Sequence, residues 1–458
     1  MTTALLTSVL GFIVAIGVLV AVHEYGHFWA ARKLGFKVLR FSIGFGRPLA
    51  RKVGRGPDHT EYVIAAVPLG GYVKMLDERE GPLAPEDVNR SFQSRPPLAR
   101  IGVLLAGPGF NFLFALVAFW VLYMGGVPGL KPVVGQVADG SPAAEAGLRP
   151  DQTILRVGDE AVATREAAVL GILDALVSEG SVPLTVADAA GREQPLTLVV
   201  APEKRRELTE PGALLSGLGF GFWYPRLPAV VGQVVEGGPA YRAGLLTGDE
   251  IVAVDGQPVG SFADLVTVVR AHPGGTLAFD VRRDGRSLDL DVTVDAVEED
   301  GATIGRVGMS SGGTAAFPDS MRTEERYGPF AALAPAARET WSKTALTVKF
   351  LWRMVTGDVS TKNISGPINI AQYAGLSALG GLTYFLGFMA LISISLGVLN
   401  LLPIPILDGG QVLYQVAEMI KGRPLSEEAQ VVGQKVGIAF LVALMGFAFY
   451  NDIVRLIG

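Results

Sequence analysis

Val22-His23-Glu24-Tyr25-Gly26-His27 is an H-E-x-x-H motif at the end of an apolar run. On a helix the two histidines lie one turn apart on one face, so both imidazoles can bind one metal ion. Glu24, next to the first histidine, is then placed to act as a general base on water at that metal. A helix end whose histidines merely sit at an interface is the weaker alternative, because the whole chain holds only four histidines.

The motif follows a segment that is long enough to cross a membrane. Residues 1–22 contain no charged side chain, and Leu5–Val22 alone provides eighteen residues, about the length of a bilayer-spanning helix. A secretory signal peptide is the alternative, but no basic segment precedes the run and no small-residue cleavage site follows it. We therefore expect a zinc hydrolase centre within or near the membrane.

The composition supports a membrane protein that also carries soluble domains. The chain has 458 residues, of which 49% are hydrophobic, and its mean hydropathy is +0.38. A net charge of −5 gives no reason to expect a nucleic-acid partner. The absence of cysteine excludes disulfides and thiolate metal ligands.

Charge and hydropathy predict about four transmembrane helices. Residues 32–55 hold eight basic side chains and no acidic one, which predicts a cytoplasmic loop and an N-terminus outside. Ile101–Met124 is a second uncharged span, interrupted at Gly107-Pro108-Gly109-Phe110-Asn111. The alternative for that interruption is a proline-containing packing helix. Tyr384–Leu402 is a third span, and Val436–Asn451 is a shorter fourth one.

Two β-prone, glycine-rich segments lie in the basic loop, at residues 38–45 and 62–75. They predict either a hairpin against the membrane or an ordinary small sheet on the cytoplasmic surface. Residues 328–362 mix tryptophans and other apolar residues with arginine and lysine. This mixture predicts an amphipathic helix, either at the outer membrane surface or packed on the preceding domain.

Between the second and third spans the chain contains an internal repeat. Val133–Val162 aligns with Val230–Val259 at an offset of 97, with fourteen of thirty positions identical. Each copy continues into a helix-like stretch and further strands. The sequence therefore predicts two consecutive αβ modules of about a hundred residues each.

The third metal ligand is expected to be a carboxylate near the membrane. Catalytic zinc commonly takes three protein ligands and leaves one position open. Asp408 follows the uncharged run 363–407 after a Pro-x-Pro break. The first and third spans are expected to run in the same direction, from outside to inside, so Asp408 and His27 would lie near the same side of the membrane. A helix-capping aspartate is the alternative, and Glu418 is the next carboxylate to consider.

Together these residues resemble the site-2 protease family of intramembrane zinc metalloproteases, in the form with two tandem PDZ domains. The resemblance rests on the H-E-x-x-H motif, on Asn400-x-x-Pro403-x-Pro405-x-Leu407-Asp408-Gly409 and on Gly107-Pro108-x-x-Asn111, and it covers essentially the whole chain. It implies a Zn²⁺ cofactor held by His23, His27 and Asp408, with Glu24 as the base.

The resemblance also implies the sites that would bind substrate. Asn400 would hold the substrate backbone, and the segment with Gly70, Gly71 and Tyr72 would be a membrane-reentrant β-loop that pairs with an unwound substrate. Gly244 and Leu245 would begin the peptide-binding loop of the second PDZ domain.

The resemblance implies a polytopic α-helical protein of the bacterial inner membrane, with a membrane-associated β-hairpin, two periplasmic αβ PDZ domains and an active site toward the cytoplasm. The expected partners are the lipid bilayer, peptide ligands of the PDZ domains, and a single-span membrane substrate such as a trimmed anti-sigma factor or a remnant signal peptide. The expected segments are a first transmembrane helix (1–31), a cytoplasmic loop with the β segment (32–100), a second helix (101–124), two PDZ domains (125–221 and 222–312), an amphipathic helix and connector (313–383), a third helix (384–410), and a loop with a fourth helix (411–458).

A metal-binding membrane scaffold or transporter that uses its PDZ modules to gather partners is the alternative function. Glu24 discriminates between the two, because a scaffold needs metal ligands but no base beside them.

Overall fold

The computed structural model describes residues 2–299, 302–313 and 316–457. The chain begins with α1 (Thr2–Lys33), β1 (Val38–Val53), β2 (Glu61–Met75) and α2 (Pro97–Gly125). The predicted interruption of the second span is wrong, because α2 continues through Pro108. The alternative, a proline-containing packing helix, is what forms. Such a proline is tolerated where neighbouring helices cover the freed backbone carbonyl.

β1 and β2 fold into a small sheet with one open side. Residues 38–43 face residues 75–71, residues 48–53 face residues 65–61, and residues 40–43 also lie beside residues 61–64. β1 can fold back in this way because Gly44 has a φ of 90°. Within the described residues, the 71–75 segment has a strand partner on one side only, so it forms an edge of the sheet.

The first αβ module follows α2. Its elements are β3 (Val127–Leu130), β4 (Val134–Val137), α3 (Pro142–Glu145), β5 (Thr153–Val157), β6 (Glu160–Ala161), α4 (Arg165–Glu179), β7 (Ser181–Ala187), β8 (Glu193–Val199), α5 (Pro202–Leu208), α6 (Ala213–Leu218) and β9 (Phe220–Phe222). The main sheet has the order β6-β5-β7-β8, and β4 pairs with β9. Ile154, Ile172 and Leu198 are fully buried in its core.

The second module repeats this arrangement. Its elements are β10 (Val231–Val234), α7 (Pro239–Arg242), β11 (Glu250–Val254), β12 (Gln257–Pro258), α8 (Phe262–Arg270), β13 (Thr276–Arg283), β14 (Arg286–Thr293), β15 (Asp295–Glu299), β16 (Ala302–Arg306) and β17 (Met309–Ser311). The main sheet has the order β12-β11-β13-β14, and β10 pairs with β17. The helix starts correspond as well, because Thr164 and Ser261 each accept a hydrogen bond from the backbone N–H three residues later. The repeat seen in the sequence is therefore a repeat of structure.

The C-terminal third contains more helix than the sequence predicts. After β18 (Arg322–Glu325), which pairs with β3, come α9 (Leu333–Thr356), α10 (Pro367–Leu379), α11 (Leu382–Asn400), α12 (Asp408–Lys421) and α13 (Glu427–Ile457). The expected connector before the third span contains α10, which begins with a proline in its first turn and ends before Gly380 and Gly381. The expected loop after residue 410 contains α12, and α13 is longer than the predicted fourth span.

Four of these helices, α1, α2, α11 and α13, are long and apolar enough to cross a membrane. α2 is the central one, because α1, α9, α11 and α12 all pack against it. α10 packs on α1 and α11. α9 contacts α2 and α11 and also the first module, where Lys349 is paired with Asp174. Its opposite side exposes Trp341, Trp352 and Val355.

Candidate active site

Three side chains converge where α1, α2 and α12 meet. His23 and His27 are buried on α1, and Asp408 is the first residue of α12. The two histidine Nε2 atoms lie 3.1 Å apart. Asp408 Oδ2 lies 3.2 Å from Nε2 of His23 and 3.4 Å from Nε2 of His27. Among the described residues, this is the one group of histidine and carboxylate side chains arranged to hold a metal ion.

The spacing of these atoms fits a zinc ion. Ligand bonds of 2.0–2.1 Å in a tetrahedral site place neighbouring ligand atoms about 3.3 Å apart. The three observed separations, 3.1, 3.2 and 3.4 Å, match one face of such a tetrahedron. Asp408 Oδ2 is buried and has no hydrogen-bond donor. A cation at the centre of the three atoms would satisfy an oxygen that is otherwise costly to bury.

α2 holds both imidazoles in the orientation that metal binding needs. His27 Nδ1 lies 2.8 Å from the Val103 carbonyl oxygen. Since a carbonyl only accepts, Nδ1 carries the proton and Nε2 presents its lone pair to the metal position. The side-chain Nδ2 of Asn111 lies 3.1 Å from Nδ1 of His23, while Oδ1 of Asn111 is buried and has no hydrogen-bond partner among the described residues. With the amide turned so that Oδ1 accepts, Asn111 selects the same tautomer in His23.

Two glycines allow α1 and α2 to approach this closely. A Cβ atom on Gly107 would lie 2.2 Å from Nε2 of His27, and a Cβ atom on Gly26 would lie 2.4 Å from the Ala106 carbonyl oxygen. Any larger residue at either position would push the helices or the ligand apart. The Gly-Pro-x-x-Asn motif therefore lies against the candidate metal site, where Gly107 leaves room for His27 and Asn111 contacts His23.

Asp408 is presented by the tight turn between α11 and α12. A Cβ atom on Gly409 would lie 2.3 Å from the Leu401 carbonyl oxygen, and one on Gly410 would lie 2.1 Å from that of Ile404. Gln411 donates a hydrogen bond of 2.7 Å to the Pro405 carbonyl oxygen. The alternative carboxylate, Glu418, is not a ligand candidate, because it is paired with Arg100 at 2.5 Å.

Glu24 is available for proton transfer. It is half-buried, and it interacts electrostatically with His23, His27 and Asp408. No hydrogen bond or ion pair joins its carboxylate to another described residue. A carboxylate that lies beside the metal ligands and is not engaged in a hydrogen bond or ion pair can act as a general base.

Gly71, in the edge segment of the small sheet, packs against Glu24. A Cβ atom on Gly71 would lie 2.8 Å from Cγ of Glu24 and 2.7 Å from the Ser42 carbonyl oxygen. Gly70 contacts the ring of Phe45, which stacks on Tyr72 with 6.1 Å between ring centroids. The structure thus brings Gly71 to Glu24, while Gly70 and Tyr72 both contact Phe45.

The other predicted substrate residues have different surroundings. Asn400 is the last residue of α11, and its half-buried side chain makes no hydrogen bond to a described residue. Leu245 lies in the core of the second module. The N–H groups of Gly244 and Leu245 donate to the carbonyls of Tyr241 and Ala240. Both donors are used within the turn after α7, and the role of Gly244 and Leu245 at the start of a peptide-binding loop stays a prediction.

Comparison with known proteins gives a match over nearly the whole chain. The family model Peptidase family M50 matches residues 11–444. The regulator of sigma-E protease RseP of Escherichia coli (strain K12) is 42% identical over 97% of this chain and 98% of its own. A putative zinc metalloprotease of Vibrio cholerae is 39% identical over 99% of this chain and all of its own. Among solved structures, the PDZ domain of the SdrC-like protein from Listeria monocytogenes covers 20% of this chain and 93% of its own, at 18% identity and a TM-score of 0.17.

Proposed function

Because this chain belongs to peptidase family M50, we propose that it hydrolyses peptide bonds of membrane-spanning proteins with zinc held by His23, His27 and Asp408. The enzyme is an intramembrane zinc metalloprotease of the site-2 type. The residue assignment rests on one observation. Three ligand atoms meet at tetrahedral spacing beside the carboxylate of Glu24, which is not paired with any described residue.

The proposed reaction assigns a role to each residue of the site. Zinc, when bound, supplies Lewis-acid polarisation of the substrate carbonyl and makes water a stronger nucleophile. Glu24 accepts a proton from the attacking water on its carboxylate and then donates a proton to the leaving amine. The Val103 carbonyl oxygen keeps Nδ1 of His27 protonated. Asn111, with its amide turned so that Oδ1 faces Nδ1, does the same for His23, so that both Nε2 atoms remain ligands.

The edge of the small sheet is the proposed binding site for the substrate backbone. A transmembrane helix has its own N–H and C=O groups paired, so it must unwind before a peptide bond can be cleaved. The 71–75 edge begins at Gly71, beside Glu24, and an unwound substrate can add to this edge as a further strand. Asn400 would hold the substrate backbone from the side of α11.

The proposed topology follows from charge and from the parity of the spans. The basic residues of 32–55 lie on the cytoplasmic side, so the two αβ modules lie in the periplasm and the active site faces the cytoplasm. We interpret the modules as PDZ domains that bind peptides and exclude substrates with a bulky periplasmic part. An anti-sigma factor already trimmed outside fits these limits, as does a remnant signal peptide.

The function is tested with purified protein in liposomes and a single-span model substrate. Glu24→Gln should keep its zinc and lose cleavage, because the amide cannot accept the proton. Tyr25→Phe, at an exposed neighbouring position, is the matched control and should cleave normally. Substantial cleavage by Glu24→Gln would show that this carboxylate is not the base.

A further inference from the structure

A buried ion pair joins α2 to α12. The Arg100 side chain is 3% exposed, and its Nη2 donates to Glu418 at 2.5 Å. Its other donors bind the side chain of Gln93 at 3.1 Å and the carbonyl oxygen of Arg95 at 3.0 Å. The guanidinium is therefore held on several sides, and Glu418 is the carboxylate that balances its charge.

Neither charge stabilises the helix that carries it. Arg100 lies in the first turn of α2, and Glu418 lies in the last turn of α12. A helix favours negative charge at its N-terminus and positive charge at its C-terminus, so both residues oppose the dipole of their own helix. The stabilising partner of each charge is the other one. The pair therefore holds two helices together rather than supporting either helix alone.

Arg100 also belongs to the side of α2 that supports the metal site. Arg100, Val103, Gly107 and Asn111 are all buried at spacings of three and four residues, which places them on one face of the helix. Val103 and Gly107 contact His27, and Asn111 contacts His23. This face of α2 therefore holds both histidines, whereas the third ligand, Asp408, lies on α12.

α12 connects Arg100 to the third ligand. Asp408 begins α12 and Glu418 lies ten residues later, about 15 Å along the helix axis. The first turn of α12 is fixed by the packing of Gly409 and Gly410 on the preceding turn. The far end is fixed on α2 by Arg100. Two attachment points define the direction of the helix, and that direction sets the position of Oδ2 relative to the two Nε2 atoms.

We propose that Arg100 and Glu418 are positioning residues for the zinc ligand Asp408. One face of α2 then aligns all three ligands: two by direct contact with the histidines, and the third through the ion pair and α12. The inference rests on the proposed zinc site. Metal sites need their ligands held within about half an ångström, so a small tilt of α12 is enough to weaken zinc binding.

The test measures how fast zinc leaves the full-length protein when excess chelator is added in detergent. Glu418→Gln keeps the shape of the side chain and removes its charge. The double variant Arg100→Met/Glu418→Met replaces the pair by apolar side chains, an exchange that is often neutral for stability. Loss of a supporting partner of a metal ligand typically lowers metal affinity about 10- to 100-fold. Both variants should therefore release zinc faster than the unmodified protein by about the same factor.

A matched control separates positioning from general stability. Arg283→Met removes the arginine of another ion pair, with Asp249 in the second module. It should lower the thermal midpoint without changing zinc release. If the double variant releases zinc at the unmodified rate, or Arg283→Met releases it as fast as Glu418→Gln, the positioning role is wrong. An unmodified protein that binds no zinc would instead overturn the proposed function itself.

Discussion

Gly107→Ala should remove zinc binding without unfolding the protein. In the structure a methyl group at this position would lie 2.2 Å from Nε2 of His27 and 2.5 Å from its Cε1. Carbon atoms in ordinary contact lie about 3.5–4.0 Å apart. The imidazole would therefore have to move by more than about 1 Å, away from the position where it faces His23 and Asp408.

The helix itself should gain from the same substitution. Alanine is favoured over glycine in a helix interior by about 1 kcal/mol, so a loss of zinc would arise from the contact with His27 rather than from weaker helix formation. A displacement of about 1 Å in a reacting group can cost about 100-fold in rate. We expect at least that loss in cleavage.

Gly109→Ala is the control, because a Cβ atom on Gly109 meets no other atom within 4 Å. Zinc content, thermal unfolding and cleavage should be measured for both variants in the same detergent. Gly109→Ala should match the unmodified protein or exceed its stability. If Gly107→Ala keeps full zinc and normal cleavage, the close approach of α2 to His27 does not exist in the working enzyme.

Three further predictions concern the rest of the chain. The Arg283 guanidinium hydrogen-bonds to Asp249 and holds the pKa of that buried carboxyl below its ordinary value of 3.8, so the pair stabilises the second module above that pH and its contribution is lost as pH falls toward the folded-state pKa. At pH 7, Asp249→Asn should lower the free energy of unfolding of this module, measured by hydrogen exchange, by about 1–3 kcal/mol. Equal protection of the variant and the unmodified protein would contradict this. The Arg165 guanidinium packs 4.9–5.5 Å from three aromatic ring centroids, one of which belongs to Phe317 after the second module. Arg165→Lys should therefore speed cleavage between the modules by an added protease. An unchanged rate of this proteolysis would show that Arg165 does not link the two modules. A cysteine in place of Arg242 should react with a membrane-impermeant reagent in spheroplasts and one in place of Arg55 should not, and the reverse pattern would invert the topology.

The local half of the candidate metal site is directly visible in the sequence. His23, Glu24 and His27 lie within a single helical turn, so their spacing alone brings them together. Asp408 lies far along the chain and is predicted only by elimination and by its place after an apolar run. The contact of the Val103 carbonyl oxygen with His27 cannot be predicted from the sequence, because every residue has a backbone carbonyl.

The same distinction applies to the fold. The two modules are visible in the sequence because their repeat preserves turn and core residues at a constant offset. α10 and α12 are missed because an uncharged run hides the boundary between neighbouring helices, and because a short helix after a Pro-x-Pro turn resembles a loop. The Arg100–Glu418 pair is missed because the two residues are 318 positions apart and only packing brings them together.

The zinc content of purified Asp408→Asn decides whether Asp408 completes the proposed zinc site. A neutral amide is a poorer ligand and no longer balances the charge of the ion, so we expect most of the zinc to be lost while circular dichroism shows intact helices. As a helix cap, asparagine would replace aspartate with little effect. One zinc ion per chain in Asp408→Asn, as in the unmodified protein, would show that Asp408 is not a zinc ligand.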